Sequence, residues 1–186
     1  MTTLSSDDDN GVYSAVLEEA QKSFEKWCEK ERVNFNLLVV AGETMCTCGP
    51  PAYDSSLFVC VRKPSDSAEL AEHYRLKHQF RPRFTLSKPY VVAPWNVLDA
   101  AYQNWRAYPD KYWQFEEDYP GSGETYFVLT PVRFNKKRTL AIASAYRKCA
   151  MGLMVESWYL WRRTRSHHWE PLYLTRTTRL DELGFS

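Results

Sequence analysis

The sequence predicts an α+β fold, a single compact domain in which a small, mostly antiparallel sheet packs with three to four helices. Three observations lead there. A helical stripe of apolar residues runs from position 14. Several short runs of β-branched or aromatic residues stand between Gly and Pro turns. The length of 186 residues, 44 % of them apolar, lets one domain bury most of its apolar surface without disulfide staples.

Residues 1–11 are polar and acidic, with Asp7, Asp8 and Asp9 in a row, and read as a disordered acidic tail. Ser5 and Ser6 would deepen that acidity if phosphorylated. The domain is expected over 12–186. From Ser14, a plausible N-cap, the spacing of Val16, Leu17, Ala20, Phe24, Trp27 and Cys28 predicts an amphipathic helix. Residues 35–41 and 57–61 read as buried strands joined by a loop containing Gly42 and Gly49-Pro50-Pro51. Residues 65–78 read as a helix, with Asp66 and Glu69 near its start and Arg75, Lys77 and His78 near its end, as the helix dipole favours.

A further helix is expected from Pro94, with Leu98, Ala101, Tyr102 and Trp105 on one face. The aromatic, acidic stretch to Gly123 reads as turns with a short helical piece. Residues 125–130 read as a strand ended by Pro131. Residues 139–161 combine high helix propensity with almost continuous apolar content. One long buried helix is the favoured reading, with a helix followed by a strand as the alternative. Residues 170–177 alternate like a final strand.

Net charge is +1, but it is segregated. Residues 131–180 hold eleven Lys or Arg against two acids, a net +9, and leave the remainder at −8. Such asymmetry orients a protein on a polyanion or on an acidic partner, or else draws two faces of one domain together. Aromatics interleave with the cations, the composition that phosphates and unstacked bases require. The expected nucleic-acid contacts are Arg133, Lys136, Lys137, Arg138, Arg147, Lys148, Trp158, Trp161, Arg162, Arg163, Arg165, His167, His168, Trp169 and Arg176. The competing expectation makes the Trp residues core and pairs their Arg neighbours with the N-terminal acids.

Cys60, His73 and His78 stand in a C-x12-H-x4-H spacing that is similar to the back half of a C2H2 zinc finger. The front half departs from that pattern, because Cys46 and Cys48 lie far from Cys60 across the Gly49-Pro50-Pro51 loop. A variant structural zinc site would use Cys46 or Cys48, Cys60, His73 and His78. Residues five apart on a helix point ~140° from each other, so both His would converge only through a distorted last turn. In the competing reading Cys60 is a buried strand residue and the His are solvated.

The sequence has no Walker loop, dinucleotide fingerprint, nucleophile elbow or zincin motif, and the acidic run Glu116-Glu117-Asp118 with Glu124 reads as a solvated loop. An odd count of five Cys, no Asn-x-Ser/Thr acceptor and no apolar leader predict a cytoplasmic or nuclear protein. The expectation is a small non-enzymatic regulatory or accessory protein that binds nucleic acid, RNA or single strands in preference to duplex. The alternative is a protein-interaction adaptor with a Trp-rich patch and an acidic N-terminal part.

Overall fold

A computed structural model of the chain describes residues 3–4, 7–44, 78–79, 83–98, 100–101, 113–149 and 154–172. In chain order these form β1 (Thr3–Leu4), α1 (Asp7–Glu31), β2 (Leu38–Ala41), β3 (His78–Gln79), β4 (Tyr90–Ala93), a helical segment over 95–98 and 100–101, α2 (Trp113–Asp118), β5 (Thr125–Leu129), β6 (Arg133–Phe134), β7 (Leu140–Cys149), β8 (Met154–Arg163) and β9 (Trp169–Pro171). The fold is α+β. Its main sheet has seven strands and is mixed, in the order β4-β2-β5-β7-β8-β9, with β6 also pairing β7. The pairs of β2 with β4 and with β5 are parallel, and the pairs from β5 to β9 are antiparallel. Strands β1 and β3 make a separate parallel pair.

Helix α1 begins seven residues before the expected cap. Asp7, Asp8 and Asp9, read from composition as tail, occupy its first turn, where carboxylates meet the positive end of the dipole. Ser14 is therefore mid-helix, and its hydroxyl donates back to the Asn10 carbonyl at 2.8 Å while accepting from the Thr85 N–H at 3.0 Å. The buried stripe runs through Val16, Leu17, Ala20, Phe24 and Cys28 as expected and extends forward to Val12 and Tyr13, whereas Trp27, also expected on it, is exposed. Helix α1 ends on Arg32 at φ 58°, with the Val33 N–H donating to the Cys28 carbonyl at 2.9 Å. This closure usually places glycine where Arg32 stands.

The region 139–161 is the main departure from expectation: it forms the hairpin of β7 and β8, paired from Leu140↔Arg162 to Lys148↔Met154. Helix periodicity was absent because β7 is central and buried on both faces, so neither period shows. Its Ala141, Ala143 and Ala145 share a core with Val12, Val16, Leu17, Ala20 and Phe24 of α1. Alternate alanines make a flat strip on which a helix can lie close. The same residues raise the apparent helix propensity.

Strands β2 and β5 are likewise buried on both sides. Leu38, Val40, Phe127 and Leu129 pack toward α1, whereas Val39, Ala41, Tyr126 and Val128 join Leu98, Phe115 and Tyr146 in a second core. The sheet is thus the middle of three layers. Among the described residues no helix is long and apolar enough to cross a membrane.

The turn after α2 locks onto the chain that enters β2. The Gly121 carbonyl accepts from the Asn36 and Leu37 N–H groups at 2.8 and 3.0 Å, and Phe35 bridges Ser122. Gly121 has φ 83°, and a Cβ there would lie 1.9 Å from Asn36 Oδ1. Gly121→Ala is expected to lower unfolding free energy by about 2–3 kcal/mol in a urea titration, through strain and displacement of this contact. Arg32→Gly should act oppositely and add about 0.5–1 kcal/mol by relieving a left-handed backbone, measured in the same way.

Candidate nucleic-acid interface

Two turns of one design stand side by side at one end of the sheet. The first, residues 135–139, links β6 to β7, and the second, residues 164–168, links β8 to β9. The Arg163 N–H donates to the Thr139 carbonyl at 2.8 Å, which makes the turns neighbours. Each is organised by a polar residue at its first position. Asn135 Oδ1 accepts from the Thr139 and Leu140 N–H groups at 2.9 and 3.0 Å, and Thr164 Oγ1 accepts from the His168 N–H at 3.1 Å. Each has its fourth residue in the left-handed region, Arg138 at φ 52° and His167 at φ 64°. The tips then display Lys136-Lys137 and Arg165-Ser166, all exposed, with His167 and His168 exposed beside them. None of these four cations and imidazoles nearest the tips, nor His168, forms an ion pair among the described residues.

The amino end of α1 reaches the same place. Asp8 Oδ2 accepts from Arg138 Nη2 at 3.2 Å and Nε at 3.3 Å, and Asp8 Oδ1 lies 3.2 Å from Arg163 Nη2. Aromatic rings back both guanidiniums. Arg138 lies 4.1 Å over Phe134 and Arg163 lies 5.9 Å from the Trp169 ring centroid. Trp169 is itself wedged against Phe134 and against Gly11 of α1, where a Cβ would stand 3.2 Å from the indole. Because β5 and β6 lead into these turns and β2 and β4 run parallel to β5, the carboxyl ends of the parallel strands face the same way. Anions are favoured at that edge of an open sheet and at helix amino ends.

The other expected contacts divide. Arg162 holds Glu170 across the β8–β9 pair at 2.5 and 2.9 Å. Arg147 lies over the rings of Phe24 and Trp27 at 4.5 and 5.8 Å, under α1 and away from the turns. Lys148 is buried against Trp95 on the opposite face. Trp161 is core, 2 % exposed, and cannot stack on a base. Arg133 is half-buried in β6. Trp158 pairs with Ser144 through its backbone in β8, and Arg176 lies outside the described residues. Reasoning from the sequence missed Asp8, Phe134, Asn135 and Thr164. Asn-x-x-Arg and Thr-x-x-His, each between alternating apolar runs, are the turn signals that would have found the last two.

Of the metal candidates, Cys46, Cys48, Cys60 and His73 lie outside the described residues, as does the strand expected at 57–61. His78 stands in β3 and not at a helix end, paired in register with Thr3. Among the described residues no group of three His, Cys, Asp or Glu is placed to hold a metal ion. Cys28 is buried, and burial foremost pushes its thiol up to about 11, against the opposing pull of Arg147. It lines a surface cleft of about 400 Å³ with Glu25, Arg32, Phe35 and Lys88. Lys88 Nζ there is committed to Glu25 and to the Phe35 carbonyl, both at 3.0 Å.

The acidic run serves structure. Glu116 accepts from the Gly121 N–H at 2.6 Å and the Ser122 hydroxyl at 3.2 Å, and so ties α2 to the following turn. Burial, and then the charge of Glu116, raise the Glu124 carboxyl above its ordinary value. No family model, no curated protein and no solved structure matches the chain.

A raised carboxyl means that the folded state keeps a proton which the unfolded chain has released. Stability contributed by Glu124 is therefore full at acid pH and declines as pH rises from its ordinary value through the raised one. Glu124→Gln should melt at a higher temperature than wild type at pH 7, with the gap closing towards pH 4, as followed by thermal scans across that range.

Proposed function

We propose that this protein is a non-enzymatic nucleic-acid-binding protein that holds the phosphates of RNA or another single strand on the paired turns at the end of its sheet. The supporting observation is the juxtaposition of Lys136, Lys137, Arg165, His167 and His168, exposed on two neighbouring turns and without ion pairs among the described residues. The turns are held by side-chain hydrogen bonds, so their backbones need no ordering on binding and only the cationic side chains lose freedom. The reading is one of phosphate contact, since Trp161 is in the core and Trp169 is packed between Phe134 and Gly11. It therefore expects weak sequence preference and strong salt dependence. The same burial of Trp161 weighs against an adaptor that would use it as an anchor.

The test is fluorescence anisotropy of a labelled oligouridylate against the Lys136→Ala, Lys137→Ala, Arg165→Ala triple variant. Affinity near 0.1 M salt should fall at least tenfold, and the slope of log affinity against log salt should become shallower by about 2, as expected for three lost phosphate contacts on a single strand. Arg162→Ala, which removes a cation already held by Glu170, should change binding by less than about threefold. A triple variant that binds like wild type overturns the proposal.

A further inference from the structure

The geometry points to Arg138 and Arg163 as a receptor for one phosphodiester group of a nucleic-acid strand, with the Asp8 carboxylate seated in it as an internal stand-in. The inference rests on the nucleic-acid reading above and adds to it a built site and its restraint. Two guanidiniums converge on the two oxygens of a single carboxylate at 3.2 Å each, an arrangement that suits a phosphate equally well. Both are oriented by something other than Asp8, namely the rings of Phe134 and Trp169. Removing the carboxylate leaves the pair preorganised. The Arg138, Arg163 and Asp8 side chains are 50, 29 and 31 % exposed, so an incoming strand can reach them.

Asp8 is not needed to fix its helix. Helix α1 is held by the buried stripe from Val12 to Cys28, whereas half-exposed ion pairs of this kind contribute little to stability. Asp7 and Asp9 remain in the first turn to answer the dipole. The receptor is also continuous with the turns, because Arg138 closes the one that carries Lys136 and Lys137, and Arg163 immediately precedes the one that carries Arg165. A strand bound along the tips passes its next phosphate over Asp8, which competes for the same two arginines. In the resting protein the strongest anion-binding geometry at this end is thus filled from within.

The experiment compares wild type with Asp8→Asn, and with Asp8→Ser as a second variant that suits a helix start, using the same labelled oligouridylate over a range of salt. The expected result is a gain of about tenfold in affinity and a salt slope steeper by about 0.7, from one further phosphate contact on a single strand. Melting temperature should stay within about 4 °C of wild type. Adding Arg138→Ala and Arg163→Ala to Asp8→Asn should abolish the gain. If wild type binds through Lys136, Lys137 and Arg165 but both Asp8 variants bind with unchanged affinity and slope, the receptor is a structural clamp and the inference is overturned. If neither wild type nor the folded Asp8 variants bind the strand, the nucleic-acid reading itself fails and this inference falls with it.

Discussion

The contact of α1 with the alanine strip of β7 is the constraint on which the remainder depends. Ala141, Ala143 and Ala145 project one methyl each toward Val12, Val16, Leu17 and Ala20, and the helix settles onto the strand along most of its length. That packing fixes two ends at once. At one end Asp8 meets Arg138 and Arg163; at the other, Phe24, Trp27 and Arg147 stack and Arg32 turns the chain toward β2. The second core, across the sheet, supports this arrangement from below. Tyr146 directly follows Ala145 in sequence and packs with Tyr126, Phe115 and Val39 on the opposite face.

How far the sequence revealed this differs from element to element. The apolar spacing of α1 was plain, since an amphipathic helix on the surface of a sheet writes its period directly. Its start was hidden because three consecutive Asp residues look like a tail unless the dipole at a helix start is weighed. Strands β2 and β5 were legible as short β-branched and aromatic runs bounded by Gly and Pro. The β7–β8 hairpin was misread because a strand buried on both faces has no alternation, and alanine favours a helix by propensity while serving here as a spacer. Tertiary demand overrode the local signal.

The charge asymmetry was visible in the sequence, but its disposition was not. Composition treats Arg138, Arg162, Arg163 and Arg147 alike, although the fold gives them an acid from α1, an acid from the next strand, the same α1 acid, and a pair of rings. Lys136, Lys137 and Arg165 differ from them in standing at the exposed turn tips without an ion pair among the described residues. Pairing of arginines with the N-terminal acids was legible only as an alternative, and the particular partners were not, because Asp8 and Arg138 lie 130 residues apart.

The alanine strip also acts as a gauge of height. A single methyl sets how far the helix rides above the strand, and therefore how deeply the Asp8 carboxylate descends between the two guanidiniums. A larger side chain at Ala141, which pairs with both Phe134 and Trp161 beside the turns, would tilt the amino end of α1 upward and withdraw Asp8 without altering any charge. In this protein a steric change in the core and an electrostatic change at the surface are two ways of moving the same part.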